Sequence, residues 1–141
     1  MRFIAMVKAN KLSESGAMPD PKLLEAMGKY NEELARAGVM LAGEGLQPSS
    51  KGARVRFSGG KRTVVDGPFA ESKELIAGFW ILQAKSKAEA VEWIKRCPHP
   101  FGEGEAEIEI RPLFEASDFG PEIAEKEEAL RKKLQDQAAK K

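Results

Sequence analysis

Residues 76 to 84 read IAGFWILQA, a nearly unbroken apolar run of strand length. A strand that is apolar on both faces needs cover on both, and it belongs near the middle of a sheet. The rest of the chain has to supply its neighbours. FIAMV near the start is a second compact apolar run of strand length. AEIEIRPLF near residue 110 alternates Ile108 and Ile110 against Glu107, Glu109 and Arg111, a strand with one wet or site-facing side. Two β-favouring runs in RVRFSGGKRTVV flank Gly59-Gly60, the signature of a hairpin whose turn requires positive φ.

Helices separate these strands. After the break at SESGAMPDP, Asp20 followed by Pro21 supplies an N-cap acceptor and a proline at the first helical position. Leu23, Met27, Tyr30 and Leu34 recur at helical spacing, and Gly38 closes the helix. Val39 to Ala42 reads as a short strand, and GEGLQPSSKG as loop. Ser86-Lys87-Ala88-Glu89 matches a capping box for a second helix with Ala90, Ile94 and Cys97 on its inner stripe, stopped by Pro98 and Pro100. From Glu122 the tail reads as a third helix, with Glu127–Arg131 and Glu128–Lys132 at i,i+4 spacing and few apolar positions. We expect one domain over residues 1–119 and a charged helical extension over 120–141. Strand–helix–strands followed by strand–helix–strand predicts a ferredoxin-like α+β sandwich, an antiparallel sheet with both helices on one face. The opposite face is left bare, and a second copy of the chain is the simplest cover for it.

Composition narrows the function. The 141 residues carry 23 Lys+Arg against 22 Asp+Glu, a formal charge of +1. That balance speaks against a dedicated nucleic-acid surface. One cysteine, Cys97, excludes an internal disulfide and suits a reducing compartment. The apolar run at the start is too short for a signal peptide or a membrane span, so a cytoplasmic protein with no membrane partner is expected.

The candidate chemistry sits at a corner. In VVDGPFAESKE, Asp66 is either a turn aspartate bonding a nearby backbone N–H or the acid/base group of a site. Glu44 and Glu71 carry the same pair of readings, as loop carboxylates or as partners whose like charge would separate pKa values. Arg54, Arg56 and Arg111 sit on strands; each either pairs with Glu107 or Glu109 or clamps a substrate carboxylate or phosphate. Tyr30 is a supporting polar group. Trp80 must face the opposite side of its strand from Phe79, towards a dimer seam or a pocket wall. His99, between two prolines, reads as an exposed loop residue, and Cys97 as core. No metal spacing, P-loop, GxGxxG or Ser-His-Asp order occurs, so no metal and no cofactor is expected.

DGPFAESKELIAGFWIL, followed by SKAEAVEWIKRCP and EIEIRPLFE, resembles the DGPF-domain proteins of the YCII-related family. ARAGVMLAGEGLQPSS resembles that family's region ahead of the hairpin, and the likeness runs from Met1 to Phe119. It implies a ferredoxin-like fold paired into a dimeric α/β barrel, a bacterial cytoplasmic protein, and an association with extracytoplasmic-function sigma factors. Other members of the wider family carry a histidine–aspartate pair as a proposed active site, with the histidine in the first helix. That helix here has Met27, Tyr30 and Asn31 at its middle and no histidine, so the pair does not carry over. Asp66, Gly67, Pro68 and Phe69 do match the signature, with Gly67 and Pro68 fixing the corner and Phe69 anchoring it. Two functions remain open. One is a homodimer with a small organic acid or anion at the sheet edge and cofactor-independent acid/base chemistry. The other is a non-catalytic dimeric module acting with a sigma factor.

Overall fold

The computed structural model describes residues 1–140. It contains a four-stranded antiparallel sheet in the order β2-β5-β1-β6, where β1 is Arg2–Lys8, β2 Met40–Gly45, β5 Ile76–Gln83 and β6 Ile108–Pro112. The IAGFWILQ run is therefore an inner strand, bonded to β1 on one side and β2 on the other. Helices α2 (Pro21–Arg36) and α3 (Lys87–Lys95) make the two crossovers and cover one face. This is the ferredoxin-like α+β arrangement, an open sheet rather than a closed barrel within one chain.

Alternation along the strands separates the two faces. Phe3, Ala5 and Val7 of β1 and Trp80 and Leu82 of β5 are buried against the helices. Tyr30 and Leu34 of α2 and Ala90 and Ile94 of α3 meet them, and Ile108 and Ile110 pack in from β6. On the reverse face the register aligns two rows across all four strands. One is Ala42–Ile81–Ile4–Arg111 and the other is Glu44–Phe79–Met6–Glu109. The centre of that face is apolar and half-buried, and its edges are polar.

The expected caps and turns are present. Asp20 accepts from the Lys22 backbone N–H at 2.8 Å with Pro21 at the helix start. Gly38, at φ 73°, follows α2. Gly59 and Gly60, at φ 58° and 76°, turn the hairpin of β3 (Ala53–Ser58) and β4 (Lys61–Asp66). At Ser86 the box is altered: its side chain accepts from the Glu89 N–H, while the Glu89 carboxylate takes the Lys85 N–H instead of that of Ser86.

Four expectations need correction. The SESGAMPDP break begins inside a short helix, α1 (Lys11–Glu14), because Asn10 and Ser13 cap each other. The strand after α2 runs on to Gly45, since bonding to β5 carries Gly43 to Gly45 past the irregularity at Leu41. Trp80 faces the helices, because it is Phe79 that lies in the open row; its indole N–H donates to the Asn31 side-chain oxygen at 2.9 Å. In α4 (Pro121–Ala139), Glu127–Arg131 and Glu128–Lys132 are not within ion-pair distance; i,i+4 pairs form instead on α2, at Glu25–Lys29 and Glu32–Arg36.

Candidate functional site

The DGPF corner hangs at the end of β4. The Gly67 N–H donates to the Gly52 carbonyl at 3.0 Å and closes the hairpin at its base. The Gly67–Pro68 peptide bond is cis. A Cβ on Gly67 would collide with the Ser49 carbonyl, so only glycine fits there. Ser49 is the centre of the corner's wiring. Its hydroxyl accepts from the Phe69 N–H at 3.0 Å and donates to the Glu14 carboxylate at 2.8 Å, and its own N–H donates to that carboxylate at 3.0 Å. The Arg54 guanidinium lies 3.8 Å above the centre of the Phe69 ring. Two distant stretches of chain, one at Glu14 and one over residues 49–54, thus fix this corner.

Asp66 stands one residue ahead of this lock. Its carboxylate is exposed, and among the described residues no hydrogen bond or ion pair engages it. A turn aspartate would bond a neighbouring N–H; this one does not. Glu14 and Ser49, which hold the corner, escaped sequence reasoning. Their only signal was a serine-rich loop and a carboxylate in a segment that had no element assigned to it.

The remaining candidates are scattered. Glu44 and Arg111 share the open face but sit on opposite edge strands, β2 and β6, three strand spacings or about 14 Å apart. Arg56 is on the hairpin opposite Thr63 and is exposed. Neither it nor Arg111 has the expected carboxylate partner; Glu109 pairs with Lys8 at 3.7 Å instead. Tyr30 is a correction. It is buried between α2 and α3, its hydroxyl donates to the Trp93 carbonyl at 2.6 Å, and its ring meets Trp80 edge-on at 5.9 Å. Burial pushes its hydroxyl pKa well above the ordinary value, so it holds the two helices together instead of facing a ligand.

His99 also has both ring nitrogens engaged. Nδ1 accepts from the Phe101 N–H at 3.1 Å and Nε2 lies 2.8 Å from the Gly104 carbonyl, so the ring staples its own loop. Burial raises Cys97 to about 11, and its sulfur lies 4.0 Å from that of Met27. That thiol is a core group. A shallow cleft of about 550 Å³ runs between α3 and β6, lined by Val91, Ile94, Ile108 and Ile110 with Lys87 and Lys95 at its rim. None of Asp66, Glu44, Arg56, Arg111 and Tyr30 reaches it. Among the described residues no three His, Cys, Asp or Glu side chains are grouped to hold a metal ion, and no helix is long and apolar enough to cross a membrane.

Residues 1–115 match the YCII-related domain. The chain belongs to the YCII-related family. It is also similar to an uncharacterised protein of Rhizobium meliloti (strain 1021), 29% identical over 94 residues, which make up 67% of this chain and 75% of that protein. Within this YCII-related chain the family match covers the sheet, both crossover helices and the DGPF corner, and ends ahead of α4.

Proposed function

We propose that this YCII-related protein acts as a homodimer that binds a small organic anion beside the DGPF corner. The observation that carries the reading is the free carboxylate of Asp66 on a corner fixed by Ser49, Gly67 and Phe69. A corner that only had to turn the chain would use its aspartate to cap a backbone N–H. Here the backbone is fixed by other groups, and the carboxylate is presented to whatever arrives.

The open sheet face supports the dimer. Ile4, Met6, Phe79 and Ile81 form a contiguous apolar centre that the helices do not cover, and a second copy would remove it from water. Among the described residues no charged side chain is buried within one protomer, so a water-poor setting for acid/base chemistry would come from that pairing. In such a site Asp66 accepts a proton or a hydrogen bond, Glu44 is the second carboxylate, and Arg56 or Arg111 clamps the ligand's carboxylate. The chemistry that fits is cofactor-independent proton transfer of the lyase or isomerase kind.

A thermal-shift screen of small carboxylates, phosphates and aromatic acids, with Asp66→Asn in parallel, tests this. A ligand at about 100 times its Kd stabilises the fold by about 2.7 kcal/mol, a shift of several degrees for a domain of this size. Hits that vanish in D66N support the reading, and hits that persist in D66N remove Asp66 from it. A second reading, a non-catalytic module that docks a sigma factor, is favoured by the exposed Ile123, Leu130 and Leu134 along α4. Silence of the whole ligand library, with capture of a sigma factor that needs α4, would favour that one.

A further inference from the structure

The β3–β4 hairpin is an element without a core. All twelve of its strand residues are exposed. One face carries Val55, Phe57 and Val64 at 54%, 67% and 64% exposure. A two-stranded ribbon is marginal in water unless something covers a face of it. Its charge is one-sided as well. Lys51, Arg54, Arg56, Lys61 and Arg62 fall within twelve residues with no acid among them. Among the described residues none of the five is in an ion pair; Arg54 and Arg62 lie over the rings of Phe69 and Phe57.

The opposite charge collects at the other side of the sheet. Glu103, Glu105, Glu107 and Glu109 alternate along the segment that leads into β6, with no cation between them. Only Glu109 is paired among the described residues. The hairpin leaves the sheet at its β2 edge, whereas this acidic strip enters at the β6 edge. Within one chain the two are separated by the full width of the sheet.

Resting on the homodimer proposed above, the geometry points to the hairpin as an arm that reaches the acidic strip of the partner copy. Two open faces can stack about a two-fold axis in two ways. An axis across the strands sets β2 edge over β2 edge but reverses the strands, so each hairpin lies at the opposite end of the stack from the partner's hairpin and acidic strip and meets neither. An axis along the strands sets the β2 edge of each copy over the β6 edge of the other, so each arm meets an acidic strip. Charge selects the second arrangement. The arm is long enough, since six residues span about 20 Å against a sheet about 14 Å wide. The same axis lays Glu44 of one copy over the β6 edge of the other, in the row of Glu109 and one row, about 7 Å, from Arg111.

A charge swap tests the arm. Lys61→Glu/Arg62→Glu reverses the tip, and Glu103→Lys/Glu105→Lys/Glu107→Lys reverses the strip; all five side chains are exposed, and melting curves check that both variants fold. Sedimentation equilibrium at low salt reads the dimer constant. Each variant alone places like charges in both arm contacts and is expected to dimerise at least tenfold more weakly than wild type. An equimolar mixture restores opposite charges at both contacts, and heterodimers should regain wild-type affinity. A K61E/R62E protein that dimerises like wild type overturns the arm, as does a mixture with no recovery. If that variant keeps its dimer but loses retention on heparin, the hairpin serves a polyanion and the arm is again overturned. A wild type that stays monomeric sinks the dimer along with the arm, whereas a wild-type dimer indifferent to the swap sinks the arm alone.

Discussion

At the residue scale, position in the fold decides role more firmly than chemical type. Tyr30 and Asp66 both looked like polar groups of a site. One is sealed in the core with its hydroxyl on the Trp93 carbonyl, and the other is free at a corner. Helical spacing puts Tyr30 on the same stripe as Leu34, and the stripe alone foretells burial. What it leaves out is the hydroxyl's partner, 63 residues away. Tyr30→Phe should therefore cost about 1 kcal/mol in denaturant unfolding, the net worth of one hydrogen bond, and leave ligand shifts unchanged. A loss of ligand response with unaltered stability would return Tyr30 to the site. Gly67→Ala belongs at the same scale. The methyl has no space beside the Ser49 carbonyl, so the corner must shift, at about 1–3 kcal/mol for an overpacked position. The expected readout is a lower melting temperature together with loss of any binding that needs Asp66.

At the element scale, strands and helices with strong periodicity were legible and short polar pieces were not. IAGFWILQA, the Asp20-Pro21 start and the Gly59-Gly60 turn each carry a local physical cause that tertiary contacts did not override. Helix α1 has only four residues and no buried side chain, so no apolar pattern could announce it. Gly43 to Gly45 read as loop because two glycines favour turns, yet pairing with β5 holds them in a strand. The corner's lock was illegible for a related reason: Glu14, Ser49 and Phe69 are distant in sequence, and nothing local links them. A further tie joins the ends of the domain. The Arg2 guanidinium donates to Glu115 at 2.9 Å and holds that carboxyl below the ordinary carboxylate range, clamping the start of β1 to the segment ahead of α4. Glu115 titrates lower folded than unfolded, so its contribution is complete above the ordinary carboxylate range and fades as pH falls through the folded value. Melting temperatures of Glu115→Gln measured between neutral and acid pH should fall less steeply than those of wild type. Equal slopes would mean that the pair does not couple to stability.

At the scale of the whole molecule, the sheet has one finished face and one unfinished face. The finished face is closed by α2 and α3. The unfinished one has an apolar middle and charges only at its edges, the pattern on which the proposed dimer rests. The sequence predicted this from a count of layers alone. It did not predict that the proposed site residues would be divided between the two edges, because strand order depends on pairing between residues far apart in the chain. The proposals for ligand, dimer and arm share one geometry, so sedimentation and thermal-shift data on the same variants bear on all three.

The bond from the Gly67 N–H to the Gly52 carbonyl has a wider meaning. It gathers the two feet of the hairpin at one point, so the sheet senses where the ribbon attaches and little of what the ribbon contains. Residues 53 to 66 are therefore a cassette. Descent can lengthen, shorten or recolour such a cassette without renegotiating the core, but on the arm proposed above a duplicated gene would keep its copies from mixing only by rewriting this stretch and residues 103 to 109 together.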